Sequence, residues 1–389
     1  MKTSSFLLRL VGVASCLMIA APASADLTEG KRLAAIYDTI LHARFGQASE
    51  ELSRACPPAP SEACRTIGVV VLWWQIVIDP DNRALDERLQ REAQSSIAAA
   101  LAWTRREPGR AEAWFYLAGS YAPLTQWQAL RGRHLAAAHN GVRIRAALER
   151  TLQLDPQLRD AYFGIGMYHY WADVAPVAAK LLRMLLLLPG GDRANGLQEM
   201  LQARAQGVLL GGEADFQLHW LYLWFEKDPT RALQLVQGLD ARYPSNPVFL
   251  RRIAEIEHDY RSDHRASAAA WEALLARARE GRVEQPHEAE TLARLGLAGE
   301  LLDLSQPEQA IATLQVVIET RPLAPYAAQS VAQYRLGVAY DRLGKRDLAI
   351  AAYNAAIAAA PADDPANVRA RSREALRRRR APDRANNFF

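Results

Sequence analysis

Apolar residues recur every three or four positions along most of this chain. No stretch alternates strictly between apolar and polar residues within turn signals. The first pattern places one face of a helix against a core, and the second would mark a strand. The expectation is therefore helices with almost no sheet. The helical stretches come in pairs, and "QYRLGVAYDRLGKRDLAIAAYNAAIAAAP" holds the clearest pair. Leu336, Tyr340 and Tyr353 are placed to fill a seam, while Gly337, Ala349 and Ala356 let two antiparallel helices approach closely. Gly344 turns the chain and Pro361 ends the second helix.

Degenerate copies precede it. "AWFYLAGSY" aligns Trp114, Leu117, Ala118 and Tyr121, and "AYFGIGMYH" aligns Tyr162, Ile165, Gly166 and His169. A small residue of the second helix recurs at Ala232, Ala266, Ala310 and Ala349, at intervals of 34, 44 and 39 residues. Prolines that would end second helices fall at Pro108, Pro156, Pro189, Pro244, Pro322 and Pro361. Between Tyr121 and Pro156 lie 34 residues where the regular unit has 20, so residues 122–141 are read as an insertion that lengthens a hairpin. The other loose joints are 56–64 and 279–287, the latter within the polar run "AREGRVEQPHE".

The stretch "YHYWADVAPVAAKLLRMLLLLPGGDRANGLQ" tempts two other readings. A bilayer span needs about 20 apolar residues. Here the run lasts from Pro176 to Leu188 and is broken by Lys180 and Arg183, so it is read as a buried second helix. Gly191 and Gly196 have the spacing of a phosphate loop, but Leu197 and Gln198 stand where Lys and Ser/Thr are needed. Asp192 reads instead as the N-cap of a helix that starts near Arg193 and ends near Gly207.

These units resemble the tetratricopeptide repeat family over residues 27–365, through the spacing L-G-x2-Y … A-x3-F/Y … P. The resemblance implies an all-α, right-handed superhelical solenoid of antiparallel helix pairs with irregular insertions and a concave, peptide-sized groove. The stretches "LWWQIVIDPDNRALDERL", "EAWFYLAGSY", "AYFGIGMYHYWADVAP" and "LPGGDRANGL" are also similar to exported bacterial tetratricopeptide proteins. That likeness implies no particular activity.

The ends of the chain change the picture. Lys2 and Arg9, the apolar "LVGVASCLMIA", and the small Ala23 and Ala25 form a secretory signal, residues 1–25. A lipoprotein box ending at Cys16 is the alternative. Export would place the chain in the bacterial periplasm or outside the cell. Cys56 and Cys64, around a proline-rich turn, then read as a disulfide worth about 2–3 kcal/mol. The body runs over 26–365. Residues 366–389 carry eight arginines against Glu374 and Asp383, leaving −2 for the rest of a chain whose total is +4. This basic tail is either a capping helix or a contact for anionic lipid or envelope polymer.

Candidate chemistry is sparse. There is no H-E-x-x-H and no G-x-S-x-G, so no catalytic residues, metal or cofactor are expected. The cluster Glu257, His258, Asp259, Asp263 and His264 offers ligand types for a divalent cation, but without a ligand-spacing signature it reads as a solvated turn. "YHYWAD" reads as the end of a first helix, with His169 in the seam. The family resemblance implies groove positions at Phe163, Met167 and Tyr170, at Gln217, Leu221 and Trp224, and at Arg251, Glu255 and His258. His219 and Trp220 depart from the repeat pattern in the middle unit. The function expected is a non-catalytic periplasmic scaffold that holds an envelope protein or peptide, with no nucleic acid and no membrane span after signal cleavage. Envelope binding by the tail is the alternative. An enzyme with an unrecognised site is the third reading.

Overall fold

The computed structural model describes residues 27–174 and 190–377. The signal segment, Cys16, the apolar run 176–188 with Pro189, and the arginines beyond residue 377 lie outside them. Among the described residues there is no strand. The amino-terminal helices are α1 Gly30–Leu41, α2 Phe45–Ala55, α3 Ser61–Ile78, α4 Asp86–Arg106, α5 Ala111–Leu130, α6 His134–Leu154 and α7 Ala161–Val174. The middle ones are α8 Arg193–Gln206, α9 Gly211–Leu221 with a π-helical turn Tyr222–Glu226, α10 Pro229–Arg242, α11 Pro247–Asp259 and α12 His264–Arg279. The last are α13 Pro286–Asp303, α14 Pro307–Thr320, α15 Ala328–Arg342, α16 Arg346–Ala359 and α17 Val368–Arg377. Consecutive helices pack against each other in a continuous array of helix pairs.

Local chemistry sets the helix ends. Asp192, Asp228, Asn246 and Asp263 each accept a hydrogen bond from a backbone N–H of the first turn, which would otherwise lack a partner. Prolines open α10, α11, α13 and α14, where the missing N–H costs nothing. Five of the anticipated terminating prolines lie two residues beyond the ends of α4, α6, α10, α14 and α16. The insertion lengthens its hairpin: α5 and α6 have 20 and 21 residues, against 15 and 14 for α15 and α16.

One small-residue position shifts. Ala232, Ala310 and Ala349 are the fourth residues of α10, α14 and α16, and each is fully buried. The fourth residue of α12 is Ser267, also fully buried, while Ala266 is only half-buried. The register there is one residue later than the alanine count suggests, because a serine does the small-residue work. Backbones approach closely between α7 and α8. A Cβ on Gly166 would lie 2.5 Å from the carbonyl oxygen of Gly196, and one on Gly196 would lie 2.5 Å from that of Gly166.

The array does not stay open. In a simple solenoid each unit touches only its neighbours. Here the amino-terminal helices reach the middle of the chain. The Tyr243 hydroxyl donates to Asp38 at 2.6 Å, and the Asn246 amide donates to the Leu41 carbonyl at 2.9 Å. Arg251 donates to the carbonyls of Ile78 and Val77, both at 2.8 Å, at the C-terminal end of α3. A guanidinium there meets orphan carbonyls and the negative end of the helix dipole. The Trp74 ring lies 4.7 Å from Phe216 and 6.1 Å from Phe249. Farther on, the Tyr326 N–H donates to Asp79 at 2.8 Å.

Helix α3 is thereby enclosed. It is the one helix among the described residues long and apolar enough to cross a bilayer, and 67% of it is buried inside the protein. Cys56 and Cys64 pair across the turn before it, with Cα atoms 6.5 Å apart. At the far end, α17 packs on α16 and α15 through Val368 and Ser372.

Candidate partner-binding surface

A surface with an exposed aromatic is built by α9, its π-helical turn and α11. The π turn widens the backbone after Leu221 and re-aims the side chains beyond it. Leu221 is 1% exposed, whereas Trp224, three residues later, is 44% exposed. Trp220 and Trp224 stack with ring centroids 4.5 Å apart and planes 30° apart. The Arg252 guanidinium from α11 sits 4.5 Å from the Trp220 ring centroid, a cation–π contact. Arg252 also pairs with Glu255, and His258 comes at the next i+3 position of the same helix. The result is a strip of aromatic, cationic and anionic groups. Beside it, Trp171 of α7 stands edge-on to Phe225 at 4.8 Å and is 38% exposed.

The layer beneath holds the strip in place. His219 is fully buried with its ring 4.4 Å from Trp220. Burial, then the Arg252 charge, push it down to about 3, so it stays neutral. The Tyr170 hydroxyl donates to Glu226 at 2.5 Å, and Arg193 pairs with the same carboxylate at 2.9 Å. Burial foremost, and then Glu226, raise the Tyr170 pKa well above the phenol range, so it remains a donor.

The residues expected in a groove divide accordingly. Trp224, Glu255 and His258 lie on the strip. Phe163, Tyr170, Leu221 and Arg251 are buried. Arg251 holds α3, and Tyr170 holds Glu226. Met167 and Gln217 are half-buried. Gln217 donates at 2.7 Å to the buried Glu213, which also receives Tyr37 and Trp74 at 3.1 Å each. Several donors on one buried carboxylate satisfy its charge and join α1, α3 and α9. Trp220, Arg252 and Trp171 are not among the groove positions that the repeat register implies. The i, i+4 spacing of Trp220 and Trp224 was a usable signal, but the π turn has none.

A second cluster forms where α11, α12 and α13 meet. His258 Nδ1 lies 2.9 Å from Glu300 Oε1, and His264 Nδ1 lies 3.0 Å from Glu300 Oε2. The two imidazoles stand edge-on at 5.0 Å. Asp303 is the fourth member, and all four ligand-type atoms fall within 4.8 Å of one another. Burial works against charge on His258, but the hydrogen bond and charge of Glu300 outweigh it and raise its pKa. In sequence His258 and His264 look like parts of a solvated turn. Their partners sit 36 residues or more away, on another helix.

Residues 331–363 match the family model described as Tetratricopeptide repeat. No curated protein matches the chain in sequence. Among solved structures, the APC/C hetero-tetramer Cut9–Hcn1 aligns at 13% identity and a TM-score of 0.40, over 87% of this chain and 62% of that one. This chain therefore spans less than two thirds of that neighbour. A human IFIT1 dimer with m7Gppp-AAAA aligns at 11% identity and 0.42, over 90% and 86%. Yeast Tom70 aligns at 12% identity and 0.40, over 89% and 81%. The described residues form an all-α array of helix pairs, and residues 331–363 of it match the tetratricopeptide repeat.

Proposed function

We propose that this chain is a non-catalytic scaffold that binds a protein or peptide segment of the bacterial envelope through the Trp220–Trp224–Arg252 strip. One observation carries the reading. Trp224 is a large aromatic left 44% exposed, stacked on a second tryptophan that an arginine covers. Aromatic and arginine side chains of this kind anchor interfaces. A partner offering an apolar side chain flanked by a carboxylate fits Trp224 beside Arg252. The interior positions Gln217 and Arg251 serve Glu213 and α3, so the exposed strip, not the interior, is the binding face. The signal segment and the Cys56–Cys64 pair support work in an oxidising compartment after export.

The test is in-cell cross-linking and co-purification of the mature chain from the periplasm, beside Trp224→Ala and Arg252→Ala. Leu323→Ala, a change at a 98% exposed apolar residue away from the strip, serves as control. The reading expects one protein captured by wild type and control and lost with either strip variant. Equal capture by all four chains, or capture by none, removes it.

A further inference from the structure

We propose that His258, His264, Glu300 and Asp303 form a binding site for a first-row divalent transition metal of the zinc type. The donor set fits the ion. Two imidazole nitrogens are borderline ligands, and beside two carboxylates they suit zinc better than calcium or magnesium, which take oxygen ligands. The residues come from different helices. His258 lies in the last turn of α11 and His264 is the first residue of α12, while Glu300 and Asp303 are one turn apart near the end of α13. A short turn, Tyr260–Asp263, brings the two histidines together.

Glu300 is the strongest indication. It is only 5% exposed, yet both of its oxygens point at imidazole nitrogens rather than at a lysine or arginine. Two histidines focused on one buried carboxylate, with a second carboxylate nearby, gather four ligand-type atoms within 4.8 Å of one another. Tetrahedral zinc with ligand bonds near 2.1 Å separates its ligands by roughly 3.4 Å. The partly exposed imidazoles, with side chains 37% and 35% accessible, close the difference by ring rotation. Arg342 lies 3.6 Å from Asp303 in a half-exposed pair, so a metal displaces a weak surface contact there. The bound ion would clamp α11, α12 and α13, at the end of the strip that carries Glu255.

The experiment is calorimetric titration of the tag-free mature protein with zinc chloride. It is paired with melting curves with and without zinc, and run beside His264→Asn and Asp303→Asn. Both replaced side chains are substantially exposed, so the fold is kept. The site predicts one saturable equivalent in wild type, a melting temperature raised by zinc, and at least a tenfold weaker titration in each variant. Absence of a saturable equivalent, or undiminished binding in both variants, overturns it. Cobalt substitution adds a signature, because tetrahedral cobalt absorbs strongly in the visible and adventitious surface cobalt does not.

Discussion

The two ends of this array are built from the same helix pair but not by the same contacts. Residues 250–352 share a core dominated by alanine and leucine, with Trp271 its one buried tryptophan. Contacts there join neighbouring helices, and the matched repeat lies at its end. Residues 27–256 share a core rich in large aromatics, with Trp73, Trp74, Trp103, Trp127 and Tyr116 buried. Its helices run to 20 and 21 residues, and α1 and α3 pack on segments more than 130 residues away. Small residues let short helices nest locally. Large rings fill the wider space left when an array wraps around one of its own helices.

The sharpest way to break the amino-terminal arrangement is Trp74→Ala. Trp74 is fully buried, touches Phe216 and Phe249, and donates to Glu213. The truncation leaves a large cavity and removes a donor from a buried carboxylate. A loss of about 4 kcal/mol is expected, read by urea denaturation. Arg251→Met comes next. It strips the buried carbonyls of Val77 and Ile78 of their donor, at a cost of about 2–3 kcal/mol. Because it releases the closure rather than the core, it should also raise amide exchange around residues 77–82 and enlarge the radius of gyration. A stability loss with unchanged exchange at that joint would show that the closure is held elsewhere.

The carboxyl-terminal arrangement breaks differently. A Cβ on Gly337 would lie 2.5 Å from the Tyr353 ring. Gly337→Ala therefore forces α15 and α16 apart, for about 1–2 kcal/mol. Tyr353 is anchored through its hydroxyl to Asp341 at 2.9 Å, so the ring cannot simply step aside. Exchange should rise in residues 328–359 and stay unchanged near Trp74. Spread of the effect to both regions would mean the two cores unfold as one.

The same contrast explains what the sequence revealed. Helix starts at Asp192, stops at the prolines, the lengthened hairpin and the seam of the last repeat are local events, written in adjacent residues. Closure is not local. Nothing near Arg251 says that its partners are the carbonyls of Val77 and Ile78, and nothing near His258 points to Glu300. Family register places Arg251 and Tyr170 on a groove wall, whereas both are buried and hold internal partners. The π turn moved Trp224 outward relative to Leu221, and no side-chain pattern encodes that extra backbone width.

The smallest expected effect tests the joint itself by pH. Glu288, in the first turn of α13, is pushed up to about 7, chiefly by burial and then by Asp79, against the opposing pull of Arg251. A free glutamate titrates near 4.3, so the folded chain holds this proton where the unfolded chain has released it. The stability gained is fully present below about pH 4.3 and is lost as pH rises through about 7. His219 acts in the opposite sense: its folded pKa is lowered, so its contribution is present above about 6.5 and lost below it. Wild type alone therefore mixes two slopes, and the informative quantity is wild type minus Glu288→Gln. That difference should fall between pH 5 and 8, by at most about one proton's worth of slope, and level off above. Parallel profiles would mean that Glu288 is already ionised in the folded chain, with Arg251 shared between it and Asp79, and that the two cores meet at a permanently charged joint.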